Sequence, residues 1–110
     1  MKMRIKATKI ELTPAIKDYA QLKMNMLQKY LGKVQVINCD LELGRVNGAQ
    51  NSGDIYRAEV NLELPGELLR IEKTEKDILK AIDKVKDHLI RSIKRYKEKR
   101  ADKIKKVDLT

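Results

Sequence analysis

Lys80, Lys84, Arg91 and Arg95 recur at helical spacing toward the C-terminal end of the chain, with Lys76 and Lys94 beside them. On a helix, at about 100° per residue, these side chains share one side. Ile78, Ile82, Val85, Leu89, Ile93 and Tyr96 fall on the opposite side. Lys86 and Lys97 flank that apolar stripe, and Asp87 and Glu98 interrupt the basic face. Such a helix buries one side and holds a dense positive field on the other. The chemistry open to it is binding of a polyanion, of which nucleic acid is the commonest.

The charge is concentrated where the helix is. Residues 73–106 carry 14 Lys+Arg and 6 Asp+Glu, whereas residues 1–72 carry 11 and 9. That excess is too lopsided for pairing within the helix to neutralise. After Tyr96 the apolar stripe ends, and Lys97, Lys99, Arg100, Lys103, Lys105 and Lys106 follow, with Ile104 and Val107 the only large apolar residues. This end is expected to project past the core, either as a frayed tail or as a basic arm that reaches phosphates. Lys17, Lys23, Lys29 and Lys33 lie on or just after an earlier helix. They either line a groove between the two helices, as a structured RNA surface would require, or form an ordinary solvated face.

Other chemistry finds little support. His88 is the only histidine and Cys39 the only cysteine, so no catalytic triad, disulfide or cysteine-rich zinc site can be assembled. Cys39 alternates with Ile37 and Leu41 and reads as a core residue. Asp83 and Asp87, four apart, read as helix-supporting partners of Lys84, Lys86 or Arg91 rather than as metal ligands. The glycine-containing stretch Gly44–Gly53 lacks a phosphate-loop pattern. Four tyrosines are the only aromatics, too few for a platform that stacks single-stranded bases. The expectation is a non-enzyme with no cofactor, no metal and no small-molecule substrate. No apolar run approaches the ~20 residues that span a bilayer, and the N-terminus has no apolar core of a signal peptide. A reduced, cytoplasmic setting with no membrane partner is the simplest reading.

The elements that must position these lysines follow from periodicity. A length of 110 residues suits one domain. Residues 3–7 alternate like a short strand. Thr13-Pro14 marks a helix start, and a 3-and-4 apolar spacing from Ile16 to Leu31 predicts a helix over 14–31 that stops at Gly32. Residues 34–46 and 55–64 alternate as strands, separated by the Gly44–Gly53 loop. Pro65-Gly66 turns the chain into a fourth strand over 68–73. Thr74 is positioned to cap the last helix. The order βαβββα, with one buried sheet face, predicts an α+β two-layer sandwich.

Several segments resemble the ribosome hibernation-promoting factor and ribosome-associated inhibitor family. They are Leu12-Thr13-Pro14-Ala15-Ile16-Lys17-Asp18-Tyr19, Leu62-Glu63-Leu64-Pro65-Gly66, Asp77–Asp83 and Asp87–Lys99. The resemblance covers roughly residues 1–100 and corresponds to the short form. It implies a four-stranded sheet with two helices on one face, laid out like a double-stranded RNA-binding domain. It also implies a ribosome-binding domain over 1–100 followed by a short basic tail over 101–110.

The implied partners are the small ribosomal subunit and its ribosomal RNA. The implied activity is occupation of the tRNA and mRNA channel in stationary phase or stress, which stops translation and protects idle ribosomes. Carried over by position, contact with RNA phosphates falls on Lys86, Arg91, Lys94, Arg95, Lys97 and Lys99, with Lys23 and Lys29 from the first helix. The charge pattern adds Lys80, Lys84 and Arg100. His88 stands where lysine is common in the family, and the Gly44–Gly53 loop is long for short members. The alternative readings are a generic structured-RNA-binding or RNA chaperone module, and a protein-interaction scaffold whose charges only confer solubility.

Overall fold

The computed structural model describes residues 1–46 and 53–108, with side chains as far as Ala101. Its order is β1 (Arg4–Thr8), α1 (Pro14–Asn25), α2 (Gln28–Leu31), β2 (Asn38–Val46), β3 (Ile55–Leu64), β4 (Glu67–Glu75) and α3 (Ile78–Asp108). The four strands form one sheet in the order β1-β2-β3-β4. β1 runs parallel to β2, and the remaining neighbours are antiparallel. Parallel pairing of β1 and β2 requires a crossover, which α1 and α2 supply. The helices cover one face of this sheet, as the sequence predicts.

Period-two alternation sets which side of the sheet is dry. Leu41, Leu43, Ala58, Val60, Leu62, Leu64 and Leu69 point into the core. Against them pack Ala20, Met24, Leu27 and Leu31 from α1 to α2, and Ala81, Ile82, Val85, Leu89, Ile93 and Tyr96 from α3. Full burial of each large aliphatic side chain contributes roughly 1.5–3 kcal/mol. An aliphatic interface of this extent is what fixes the two helices against the sheet.

Four details depart from the sequence-based expectation. The first helix is not continuous: Met26 and Leu27 donate to Lys23 and Met24 carbonyls at 3.2 and 3.0 Å, a tightened i to i−3 turn that separates α1 from α2. Strand β2 begins at Asn38, so Ile37 is not a core residue and stands 51% exposed. Thr74 does not cap α3, because pairing of β4 with β3 continues through Arg57↔Thr74 and Tyr56↔Glu75. The cap falls to Asp77, whose Oδ1 accepts from the Leu79 amide at 2.8 Å.

The other end of the first helical segment is as read from sequence. Thr13 Oγ1 accepts from the Ile16 amide at 3.2 Å, with Pro14 at the first helical position. Gly32 ends α2 at φ +59°, a backbone geometry that favours glycine. The expected hairpin loop falls partly on residues 47–52, which lie outside the described residues. Gly44 belongs to β2 instead.

Candidate nucleic-acid interface

The stripe that buries α3 leaves two flanks of that helix at the surface. One flank faces α1 and α2 across a groove; the other faces the β4 edge of the sheet. The cations are divided between these flanks: Lys80, Lys84, Arg91 and Arg95 keep the common side that helical spacing gives them, and Lys86, Lys94 and Lys97 stand toward the groove.

On the groove side, a cleft of about 640 Å³ is lined by Asn25, Met26, Gln28, Lys29, Tyr30, Lys86 and Ile90. Tyr30 is the centre of its charge arrangement. Lys29 Nζ and Lys94 Nζ lie 5.2 and 5.3 Å from its ring centroid, within reach of the negative face of an aromatic ring. Lys97 Nζ donates to the Tyr30 carbonyl at 3.0 Å, satisfying an acceptor left at the end of α2. Tyr30 therefore gathers lysines from two helices.

Deeper in the groove the cations are partnered. Lys23 Nζ lies 3.5 Å from Asp83 and 5.2 Å from the Tyr19 ring centroid. Tyr19 also donates its hydroxyl to Asp83 Oδ1 at 2.8 Å. Asp83 thus pairs across the groove to α1 and not with a lysine of its own helix. Asp87 follows the expectation, taking Lys86 at 2.7 Å. The side chains of Lys86 and Lys23 are only 16% and 21% exposed. These two lysines set the potential at the groove floor, whereas Lys29, Lys94 and Lys97 stand at its exposed rim.

On the β4 side, Lys84 binds Glu75 at 3.0 Å. Arg91 and Arg95 are exposed and have no ion pair among the described residues. Lys80 and Lys99 are exposed on α3 with no ion pair among the described residues. Arg100 donates to the Tyr96 hydroxyl and lies 5.5 Å from that ring. Tyr96 in turn donates to the Pro65 carbonyl at 2.6 Å, which ties α3 to the β3–β4 turn.

Two residues near this surface were not singled out as contacts by the sequence. Lys73 follows Leu69 and Ile71 in the alternation of β4, which places it on the helix-covered side, and the structure sets it close to His88. That alternation was the available signal. His88 is partly buried, and its Nδ1 is sealed from solvent with no hydrogen-bond partner.

The uncovered sheet face has a different character. The register brings together Asp40, Glu42, Glu59, Glu63 and Glu72 with Arg4, Lys6, Arg57 and Arg70. Arg57 alone pairs with Glu42 at 3.0 Å, Glu59 at 3.2 Å and Glu72 at 3.0 Å. Charges on that face largely cancel, whereas the helical face keeps its excess. The fold therefore keeps the cationic excess of the described part of α3 on the side away from that paired face.

Burial pushes the Cys39 thiol up to about 11, so it is not a nucleophile at neutral pH. Among the described residues, no cluster of three or more His, Cys, Asp or Glu is placed to hold a metal. No helix there is long and apolar enough to cross a membrane.

Known proteins resemble this chain in sequence and fold. The family described as sigma 54 modulation protein / S30EA ribosomal protein matches residues 3–101. A ribosome hibernation promotion factor of Picosynechococcus sp. is 29% identical over 99 residues, covering 90% of this chain and 50% of that protein. A ribosome hibernation promoting factor of Klebsiella oxytoca is 24% identical, covering 90% of this chain and 96% of that one. The crystal structure of the Thermus thermophilus Protein Y N-terminal domain superposes with a TM-score of 0.73 at 30% identity, over 87% of this chain and 99% of that one. The chain spans about half the length of the longer hibernation factors it matches, such as that of Picosynechococcus. With its sheet order, its two-helix layer and a match over nearly its whole length, the chain belongs to the sigma 54 modulation protein / S30EA ribosomal protein family.

Proposed function

We propose that this chain binds the small ribosomal subunit through ribosomal RNA, occupies the channel used by tRNA and mRNA, and thereby silences and preserves idle ribosomes in stationary phase or stress. It acts by bulk and charge, not by catalysis, and it works in the cytoplasm, where ribosomes are. The observation that carries this reading is the segregation of charge. Cations from α1, α2 and α3 stand around one groove and along one helix, while the opposite sheet face is internally paired. Relatives named for ribosome hibernation support the ribosome as the source of that polyanion.

A surface of this kind exchanges condensed counterions for phosphate contacts, so its affinity falls steeply with salt. With 6–10 contacts the loss between 50 and 200 mM salt is about 10³–10⁵-fold. Co-sedimentation with small subunits at those two salt concentrations tests it. Reversal of Arg91, Lys94 and Arg95 to glutamate is expected to abolish pelleting, and unchanged pelleting refutes the assignment of these residues. Initiator tRNA is expected to compete; simultaneous, unhindered occupancy refutes the channel. Equal affinity for any RNA duplex, without preference for ribosomes, would point to a general RNA-binding module instead.

A further inference from the structure

On the flank of α3 away from the groove, Lys84, His88, Arg91 and Arg95 follow one another at intervals that keep them in one line. Strand β4 runs beneath that line and turns Lys73 and Glu75 toward it. Glu75 is taken by Lys84 at 3.0 Å, and Asp87, beside His88 in sequence, is taken by Lys86 at 2.7 Å. Neither carboxylate is left to balance the rest. Strand β3, the other strand under α3, contributes Tyr56 opposite Glu75, Ala58 opposite Lys73, and Val60 to the covered side. Lys73, Arg91 and Arg95 therefore lie near enough to His88 to act on its charge, and it has no acidic partner among the described residues.

The histidine itself is pushed toward its neutral form. Burial is the main cause, and Lys73, Arg91 and Arg95 add to it. Its Nδ1 is sealed and unpartnered, a cost that a neutral imidazole bears more easily than an imidazolium with two N–H groups to satisfy. Three like charges around a half-buried ring repel one another, and nothing in the described fold offsets them. An oxyanion would.

We infer that Lys73, His88, Arg91 and Arg95 form a notch for one RNA backbone phosphate, and that His88 takes up a proton from solvent as the phosphate enters. The inference rests on the reading of RNA as the partner, and it extends the contact surface from the groove around α3 to the β4 edge. The phosphodiester remains an anion throughout. Arg91 and Arg95 donate to it from above, Lys73 from the strand, and His88 through Nε2. Nearby negative charge favours the imidazolium, so binding and protonation reinforce each other. For each unit by which bound RNA raises the histidine's midpoint, affinity gains about tenfold between high and low pH.

A single histidine makes the test direct. The imidazole NMR signals of the whole chain are followed against pH, alone and with a short RNA duplex. The expected result is a midpoint about one unit higher with duplex, with the rise reduced in Lys73→Ala and in Arg95→Gln. A midpoint that saturating duplex leaves unmoved overturns the inference. Sulfate at matched ionic strength separates the sources of the oxyanion: a rise with sulfate and none with duplex overturns the assignment to RNA. Small-subunit binding is then measured from pH 5.5 to 8. His88→Gln is expected to flatten the pH dependence of the wild type, and an unaltered dependence also overturns the proposal. Failure of the wild type to co-sediment at any pH is a different result, and it removes the ribosomal reading instead.

Discussion

Tyr19 donates its hydroxyl to Asp83 Oδ1 at 2.8 Å, and Asp83 also lies 3.5 Å from the Lys23 ammonium. One carboxylate thus joins α1 to α3 and restrains a lysine at the groove floor. Asp83→Asn keeps an acceptor for Tyr19 but releases Lys23. The expected outcome is a small loss of stability and stronger RNA binding, with the logarithmic salt slope steeper by about one unit as Lys23 gains a phosphate. Salt titration of binding by the two proteins checks this. An unchanged or shallower slope means that Lys23 does not reach RNA.

The same bond predicts a pH signature. Tyr19 titrates above the usual tyrosine range, first because its hydroxyl is bound to Asp83 and then because of burial. A raised folded value means that the stabilisation is complete below the ordinary tyrosine range, near about 10, and is lost as pH rises through the folded value. Tyr19→Phe is expected to cost about 1 kcal/mol at neutral pH. The gap between wild type and variant narrows in strongly alkaline solution. Denaturant unfolding at neutral and alkaline pH measures both.

How far such relationships were legible depends on their range. Strand β3 is read directly, because Ala58, Val60, Leu62 and Leu64 alternate with polar residues and one face is dry. The stripe of α3 is equally plain, because a single helix periodicity decides it. Asp83 was assigned to neighbours on its own helix, since local spacing shows only those. Its real partners come from α1, 64 residues away in the case of Tyr19. Thr74 looked like a cap for a similar reason: its chemistry suits one, but cross-strand pairing with Arg57 outweighs it. Helical spacing alone sets Lys80, Lys84, Arg91 and Arg95 apart from Lys86 and Lys97, whereas the meeting of the latter two with α2 follows from packing that no single segment encodes.

Arg57 presents a relationship of this non-local kind on the open sheet face. Glu42 lies opposite Glu59, and Glu59 opposite Glu72, across three strands. Like charges directly opposite are destabilising, and Arg57 offsets both contacts by binding all three carboxylates. Its guanidinium is held charged, chiefly by Glu42, with Glu72 and Glu59 adding to that. Arg57→Met is expected to cost roughly 2 kcal/mol at pH 7. The penalty should shrink in about 1 M salt, which screens the repulsion between the carboxylates. Urea midpoints at low and high salt test this, and a penalty independent of salt refutes the charge argument.

Gly44 sits where β2 meets β1, paired with Thr8. A Cβ at that position would lie 3.2 Å from the Thr8 carbonyl oxygen, too close to a backbone atom to be relieved by a side-chain movement. Gly44→Ala should therefore push β1 away from the sheet. The expected cost is about 1–3 kcal/mol, with amide hydrogen exchange accelerated first in Ile5–Thr8. Unchanged protection of β1 would show that the strands accommodate the methyl group without separating.

Tyr96 closes the core at the other end of the molecule. Its ring is 3% exposed, its hydroxyl donates to the Pro65 carbonyl at 2.6 Å, and Arg100 donates to the same hydroxyl. Among the described side chains of α3, none beyond this point reaches the core, so Tyr96 is the last of them to pack against the sheet. Tyr96→Phe retains the packing and strands one carbonyl and one arginine, for an expected loss of about 1 kcal/mol. Tyr96→Ala also opens a cavity, for about 3–5 kcal/mol. The two variants separate stability from placement. If the hydroxyl sets the exit angle of the basic helix, Tyr96→Phe should weaken small-subunit binding by more than its stability loss implies, with the salt slope reduced. Binding equal to wild type would show that packing of the ring alone directs the helix.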